Sequence, residues 1–324
     1  MDYTLDFEKP VHELENQIKE LQEANAKPGI DISKEIKALQ NKVDHLIKDI
    51  YDNLSSWERV QLSRHPQRPH TMDYVERIIE DFHELHGDRK FSNDPSMIAG
   101  FGFLDGQKVA VVGIEKGRKT QDKILRNFGM ARPEGYRKAL RVMKLAAQFN
   151  IPVISFVDTP GAYPGIGAEE RGQAQAIAEN LEEMFGLAVP LIAVVIGEGG
   201  SGGALGIAIA DKALMMEYSI YSVISPESCA SILWSDPKQA ENAANSLQLG
   251  PQKAAELNII DGVIAEPPGG AHRDVEKAGE SLKNALVKEL KALKKKKPQD
   301  LLEERYKKFR QMGNQTIVAD KGNS

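Results

Sequence analysis

The chain has 324 residues, 41% of them hydrophobic, enough for one large domain or one domain with an appendage. Its formal net charge of -5, with both signs mixed, argues against a general nucleic-acid binder. The single cysteine, Cys229, excludes a disulfide within the chain and a zinc site built from its own thiolates, and it fits a reducing, cytoplasmic setting.

Met1 to Pro10 is acidic and has no apolar run, so no signal peptide is expected there. Residues 1–52 form the first unit of the chain, and 10–52 within it read as a helical hairpin. Val11, Leu14, Ile18 and Leu21 form one apolar stripe, and Pro28-Gly29 breaks it. Ser33 stands where it can cap a second helix, striped by Ile32, Ile36, Leu39, Val43, Leu46 and Ile50. Such stripes pack on a main body or on a partner subunit.

Residues 53–296 form the second unit, and residues 297–324 a C-terminal helix with a disordered tail beyond about Met312. A helix is expected from Asp73 to Leu85, with His83 and His86 in its last turn. No third ligand is obvious near that pair, so no metal site is predicted. From Met97 the pattern becomes α/β. Met97 to Leu104 and Lys108 to Ile114 flank Asp105-Gly106, a hairpin signal. Residues 115–138 are rich in Lys and Arg. A helix follows, then a buried strand, Pro152 to Val157, and a Gly/Pro-rich loop, Asp158 to Gly167. A helix from Glu170 to Phe185 leads to the strand Pro190 to Ile196, a glycine run and a short helix, Gly203 to Ala210. The longest apolar run, Leu187 to Ile196, contains Pro190 and falls short of the roughly 18 residues of a membrane span. Strands near Ala213 to Met216, Ser219 to Val223 and Val263 to Ala265 and a helix over 274–294 complete the reading. Helices covering buried strands define the class.

Two glycine-bearing loops end consecutive strands: Asp158-Thr159-Pro160-Gly161-Ala162-Tyr163-Pro164-Gly165 and Gly197-Glu198-Gly199-Gly200-Ser201-Gly202-Gly203-Ala204. Ligands of open α/β sheets favour that edge. Glycine lets a ligand approach peptide N–H groups, and those at a helix start are unpaired. Spacing leaves three readings open: an oxyanion-type or acyl-CoA site, a dinucleotide site, and a structural turn. Gly197, Gly199 and Gly202 spell GxGxxG, with Glu217 near the position of a ribose-binding acid. No Lys-Ser/Thr pair follows, which excludes an ATP P-loop. No nucleophilic triad is apparent: Ser201 lacks the nucleophile-elbow form, and Cys229 lies in an apolar helical stretch that reads as core.

Several segments together resemble the family of carboxyltransferase alpha subunits of multisubunit acetyl-CoA carboxylases. They are LDFEKP (Leu5 to Pro10), ELHGDR (Glu84 to Arg89), DTPGAYPG (Asp158 to Gly165), AEERGQ (Ala168 to Gln173), GEGGSGGAL (Gly197 to Leu205), YSVISPE (Tyr221 to Glu227), CASILW (Cys229 to Trp234) and EPPGGAHR (Glu266 to Arg273). The resemblance implies a crotonase-like spiral of ββα units behind the N-terminal hairpin. It implies transfer of a carboxyl group from carboxybiotin, held on a biotin carboxyl carrier protein, to acetyl-CoA, giving malonyl-CoA for fatty acid synthesis. It also implies a zinc-bearing beta subunit in an α2β2 heterotetramer, with biotin carboxylase and its ATP elsewhere in the wider complex. The biotin ureido oxygen is then expected on the backbone of Gly202 and Gly203, with Gly161 and Ala162 the second candidate. Gly199, Gly200, Tyr163 and Gly165 are expected to contact the biotin group. A bulky residue at Gly203 should stop turnover and leave the fold intact.

Two other functions remain to be weighed. A self-sufficient acyl-CoA hydratase or isomerase of the same fold would use a carboxylate such as Glu169 or Glu170. A non-catalytic scaffold or nucleic-acid-binding subunit would use the basic stretch, Lys116 to Lys138, and have no need of the glycine loops.

Overall fold

The structure, a computed structural model, describes residues 3–26 and 31–313. Two amphipathic helices, α1 (Lys9–Asn25) and α2 (Ser33–Asp52), pack through Val11, Ile18, Val43, Ile47 and Tyr51, which share a core with Leu62 and Tyr218. The expected stripe is therefore shifted on α2: Ile47 and Tyr51 are buried, and Ile36, Leu39, Leu46 and Ile50 lie at its margin. Ser33 does not cap α2. Ile32 is the capping residue, and the Ser33 amide donates to Asp31 Oδ1 at 3.2 Å. The Pro28-Gly29 break and the tail from residue 314 lie outside the described residues.

Helix α3 (Ser56–Ser63) starts with a capping box, in which Ser55 accepts from the Glu58 amide while Glu58 accepts from the Ser55 amide. Helix α4 (Thr71–Ile78) ends earlier than predicted, and the chain continues as β1 (Glu80–Glu84). His83 thus sits on an exposed edge strand and His86 beyond it, with no helix carrying both. The reason is tertiary. β2 (Met97–Leu104) has glycines facing β1, and a Cβ at Gly100 would lie 2.2 Å from the His83 carbonyl oxygen. Pairing with that close neighbour overrides the local helical pattern. β2 turns at Asp105-Gly106 into β3 (Gln107–Ile114), as the turn signal predicts.

After α5 (Thr120–Leu125) and α6 (Pro133–Gln148) come β4 (Val153–Thr159), α7 (Ile166–Glu170) and α8 (Gln173–Gly186). The helix predicted over 170–185 is α8, which starts three residues later, after Gly172 in the left-handed region; the short α7 before it begins in the segment predicted as loop. The second half comprises β5 (Leu191–Gly200), α9 (Ser201–Ala208), β6 (Lys212–Met216), β7 (Ile220–Ser222), α10 (Pro226–Trp234), α11 (Ala240–Leu247), α12 (Pro251–Glu256), β8 (Gly262–Ile264), α13 (Val275–Leu293) and α14 (Pro298–Gln311).

The strands form one sheet in the order β1-β2-β3-β4-β5-β6-β8, antiparallel through β3 and parallel beyond it. β7 pairs with the far end of β5. Along β5, Leu191, Ala193 and Val195 face a core with α6, α8 and α9, and Ile192, Val194 and Ile196 face another with α4 and α13. A strand buried on both faces reads as a continuous apolar run. Among the described residues no helix is long and apolar enough to cross a membrane.

Candidate active site

The two glycine-bearing segments meet at the C-terminal ends of β4 and β5. The glycine run is not a loop throughout. Gly197 to Gly200 continue β5, with Thr159 of β4 opposite Gly199 on one side and Ile220, Tyr221 and Ser222 of β7 on the other. Close packing accounts for these glycines. A Cβ at Gly200 would fall 2.2 Å from the Pro160 carbonyl oxygen, and one at Gly199 would fall 2.8 Å from the Tyr221 ring. Gly199 and Gly200 are buried, Gly199 against the Tyr221 ring and Gly200 against the Pro160 carbonyl.

Helix α9 begins at Ser201, and its first N–H groups, those of Gly202 and Gly203 among them, have no intrahelical acceptor. Gly203 packs directly on the first loop, where a Cβ would lie 2.5 Å from both the Ala162 nitrogen and the Gly161 carbonyl carbon. The four expected donor positions, Gly161, Ala162, Gly202 and Gly203, are therefore neighbours. The contact also corrects the expectation for Gly203. No larger residue fits without moving the first loop. At Gly202 the nearest atom to an added Cβ is Ile177 Cδ1, at 3.8 Å. Tyr163 and Gly165 stand on the half-exposed rim of the loop, with the Arg132 guanidinium 5.3 Å from the Tyr163 ring centre. Thr159 Oγ1 shapes the loop by donating to Gly129 O at 2.7 Å and accepting from the Gly161 amide at 3.1 Å.

Beneath the junction lies a network of charges. Lys116 Nζ is 2.8 Å from Asp158 Oδ1 and 2.7 Å from Glu198 Oε1. Asp158 Oδ1 also accepts from the Glu198 amide at 3.0 Å. Arg64 donates to Glu198 at 2.7 Å and to Glu227, near the start of α10, at 2.6 Å. Burial pushes the Glu198 pKa upward, but Lys116 and Arg64 outweigh it and hold the carboxyl at about 2. Lys116 is held above the usual lysine value: burial works against its charge, but Asp158 and then Glu198 outweigh it. Arg68, fully buried, donates to the Ile196 carbonyl at 2.8 Å and forks onto Glu266 at 2.5 and 2.9 Å. Sequence reading named Lys116 as part of a basic surface and missed Arg64, Arg68 and Glu198. The one local signal was an acid set among glycines, at Glu198.

An apolar cavity of 290 Å³ opens beside Gly202, lined by Ser201, Leu205, Tyr221, Val223, Ile259, Phe309 and Met312 among others. A larger one, 910 Å³, lies between Ala255–Asp261 and the end of α14 and contains none of the expected site residues.

The geometry disfavours a dinucleotide site. Gly197 and Gly199 lie within β5, and Glu217 Oε2 is engaged by the Glu266 amide at 2.9 Å. Glu169 and Glu170 are exposed on α7. Cys229 is buried. The basic stretch is largely paired internally: Arg118 with Asp73, Arg126 with Asp122, Arg137 with Asp88, and Lys138 turned inward to Asn93 and the Asp94 carbonyl.

Residues 4–313 match the family model described as acetyl co-enzyme A carboxylase carboxyltransferase-like. The chain is 54% identical over 310 residues to the acetyl-coenzyme A carboxylase carboxyl transferase subunit alpha of Geobacter metallireducens, covering 96% of this chain and 97% of that one. It is 51% identical over 309 residues to the same subunit of Thermus thermophilus, covering 95% and 98%. Among solved structures it is similar to transcarboxylase 12S with methylmalonyl-coenzyme A bound, at TM-score 0.53 and 21% identity, over 66% of this chain and 42% of that one. The beta subunit of Pseudomonas aeruginosa geranyl-CoA carboxylase aligns at TM-score 0.54 and 17% identity, over 78% and 45%. The chain spans less than half the length of these two structures, and the likeness is one of fold: the crotonase-like α/β arrangement that the sequence resemblance implies. With the family model running from before α1 to the end of α14, and both relatives more than half identical, the chain belongs to the acetyl co-enzyme A carboxylase carboxyltransferase-like family.

Proposed function

We propose that this chain is the alpha subunit of a carboxyltransferase that moves a carboxyl group from carboxybiotin to acetyl-CoA, giving malonyl-CoA. The observation that carries the reading is the packing of Gly203 on the Gly161–Ala162 peptide, which gathers backbone donors from two loops beside an apolar cavity. The fit to a biotin ring is chemical. Unpaired amides at the start of α9 suit an oxygen that gains negative charge, and the cavity's apolar wall suits hydrocarbon. Carboxybiotin, when bound, supplies the activated carboxyl group.

The chain's own residues hold and orient. The Gly202 and Gly203 amides face the oxygen that gains charge, and the α9 dipole favours that charge. Each such donor is typically worth roughly 3 kcal/mol of barrier. The Gly161–Ala162 peptide borders the same space. The Asp158–Lys116–Glu198–Arg64 network fixes the distance between the two loops. No side-chain base from this chain is required in the scheme. The acyl-CoA is assigned mainly to a zinc-bearing beta subunit, the whole assembling as α2β2 in the cytoplasm. The carrier protein and the ATP-using biotin carboxylase belong to the wider complex.

The test is decarboxylation of malonyl-CoA with free biotin as acceptor, first with this chain alone, then with the beta subunit added. Activity only in the mixture supports a shared site. Activity of the chain alone overturns the division of labour, and a stable but inert complex overturns the carboxyltransferase reading.

A further inference from the structure

The Glu84–Arg89 segment carries part of the family resemblance, yet carboxyl transfer as drawn above makes no use of it. Its turn is built with care. The Asp88 carboxyl, 5% exposed, accepts the amides of Lys90, Phe91 and Ser92 at 3.0, 2.8 and 3.1 Å, and Arg137 Nε at 2.8 Å. Asn93 Oδ1 accepts the Gly87 amide and Lys138 Nζ, both at 2.9 Å. These bonds stiffen the backbone and leave two side chains, Arg89 and Lys90, exposed outside the network.

Arg89 does not stand alone. Its Nη1 donates to the His86 carbonyl at 2.8 Å, and Arg141 Nη2 of α6 donates to the same oxygen at 3.3 Å. Two guanidinium groups thus converge on one carbonyl. Among the described residues no carboxylate forms an ion pair with Arg89, Lys90 or Arg141. Burial, then Arg89, lowers the Arg141 pKa, as expected of a cation beside another cation. The three border a 510 Å³ cavity with Arg137, Lys144 and Glu179. Asp88, also on its wall, is taken by Arg137, and Lys144 pairs with Glu183 at 2.7 Å. Glu179 is the one acidic side chain on that wall without such a partner, against three cations that form no ion pair, of which Arg141 feels Asp88 at longer range.

Like charges brought together on a stiff frame repel each other, and an anion bound between them removes the repulsion. Guanidinium groups match phosphate oxygens in planar, paired hydrogen bonds. We propose that the cavity between the 87–93 turn and α6 binds a small molecule through a phosphate or diphosphate group. The proposal does not depend on the carboxyltransferase reading.

Calorimetric titration of the full chain with inorganic pyrophosphate at low salt tests it, with ADP in a parallel arm. Saturable pyrophosphate binding is expected, weakened about tenfold or more by Arg89→Ala with Arg141→Ala and unaffected by Lys34→Ala on the hairpin. Equal affinity for the two ligands would assign the site to a free inorganic anion; tighter ADP would assign it to a nucleotide diphosphate. A second readout needs no variant: pyrophosphate should shield Arg89 and Arg141 of the native chain from phenylglyoxal, mapped by peptide. The proposal is overturned by absence of saturable binding, by unchanged affinity in the double variant, by unshielded arginines, or by capture of an oligoglutamate peptide in place of pyrophosphate.

Discussion

Lys116 and Glu198 stand 2.7 Å apart, 82 residues apart in the chain, at the junction where the two glycine-bearing segments meet. Lys116 also holds Asp158, at the start of the first segment. All three are nearly withdrawn from solvent, so each charge depends on the others. Lys116→Met should cost about 3–5 kcal/mol, because it leaves the buried Asp158 carboxylate without a cation and Glu198 with Arg64 alone. Urea unfolding measures the loss. Adding Glu198→Gln should return part of it. Strictly additive losses across the cycle would show that the two side chains do not interact.

Gly202 and Gly203 separate chemistry from packing. Gly202→Val places its side chain in open space over the α9 amides, and the unfolding midpoint should stay within about 1 kcal/mol of the native chain. Carboxyl transfer with the beta subunit should fall by about 10² or more: valine keeps the N–H at position 202, but its side chain bars the ligand from it, and losing the use of one such donor typically costs that much. Gly203→Ala should behave differently. Its methyl meets the Gly161–Ala162 peptide at 2.5 Å, so stability and transfer should fall together. Full activity in Gly202→Val would remove Gly202 from the site.

Arg305 fastens α14 to the sheet. Fully buried, it pairs with Asp211 through two bonds of 2.9 Å and donates to the carbonyls of Met184, Leu187 and Val189 at 2.7, 2.8 and 3.0 Å. Arg305→Met keeps much of the packing and removes every donor. A loss of about 3–5 kcal/mol is expected, with hydrogen exchange rising first in α14. Because Phe309 and Met312 line the cavity beside Gly202, transfer should weaken through KM before kcat. A native-like exchange profile would show that α14 docks without this clamp.

Much of this architecture is legible in local pattern. The hairpin follows from three- and four-residue apolar spacing, β2 and β3 from alternation around Asp105-Gly106, and β4 and β5 from short apolar runs. Where local pattern and tertiary pairing disagree, the pattern misleads. Glu80 to Leu85 look helical, yet β2 offers them a glycine-lined edge, and the edge prevails. The charge network was invisible for a related reason. Arg64, Lys116, Asp158 and Glu198 come from four separate elements, and no spacing rule joins them. Charged runs are mostly solvated, so the inward turn of Lys116 and Lys138 had no local signature. The meeting of Gly203 with Gly161 and Ala162 was accessible only through the family resemblance.

The hairpin is latched to the body by groups that respond to acid. Glu8 accepts from the Tyr51 hydroxyl at 2.5 Å and the Leu5 amide at 3.0 Å, and it lies 3.0 Å from His272 Nε2. The His65 ring stacks on His272 at 4.0 Å, and its Nδ1 accepts from the Gln67 amide. Burial, then His272, pushes the His65 pKa down to about 4. Its neutral form is favoured in the fold, so its contribution is complete above about pH 6.5 and lost as pH falls to 4. Burial pushes the Glu8 pKa up, but His272, Tyr51 and the Leu5 amide outweigh it and hold the carboxyl at about 2. Its contribution is complete above about pH 4.5 and lost as pH falls toward 2. Both act in one direction, so the hairpin should loosen in acid before the sheet does. The His65 part is of order 3 kcal/mol. Hydrogen exchange at pH 7, 5 and 4 should show amides of α1 and α2 opening while those of β4 and β5 stay protected. His65→Phe should flatten the change between pH 6.5 and 4 and leave the lower part. A wild-type hairpin equally protected at pH 7 and pH 4 would mean that this cluster does not govern its docking.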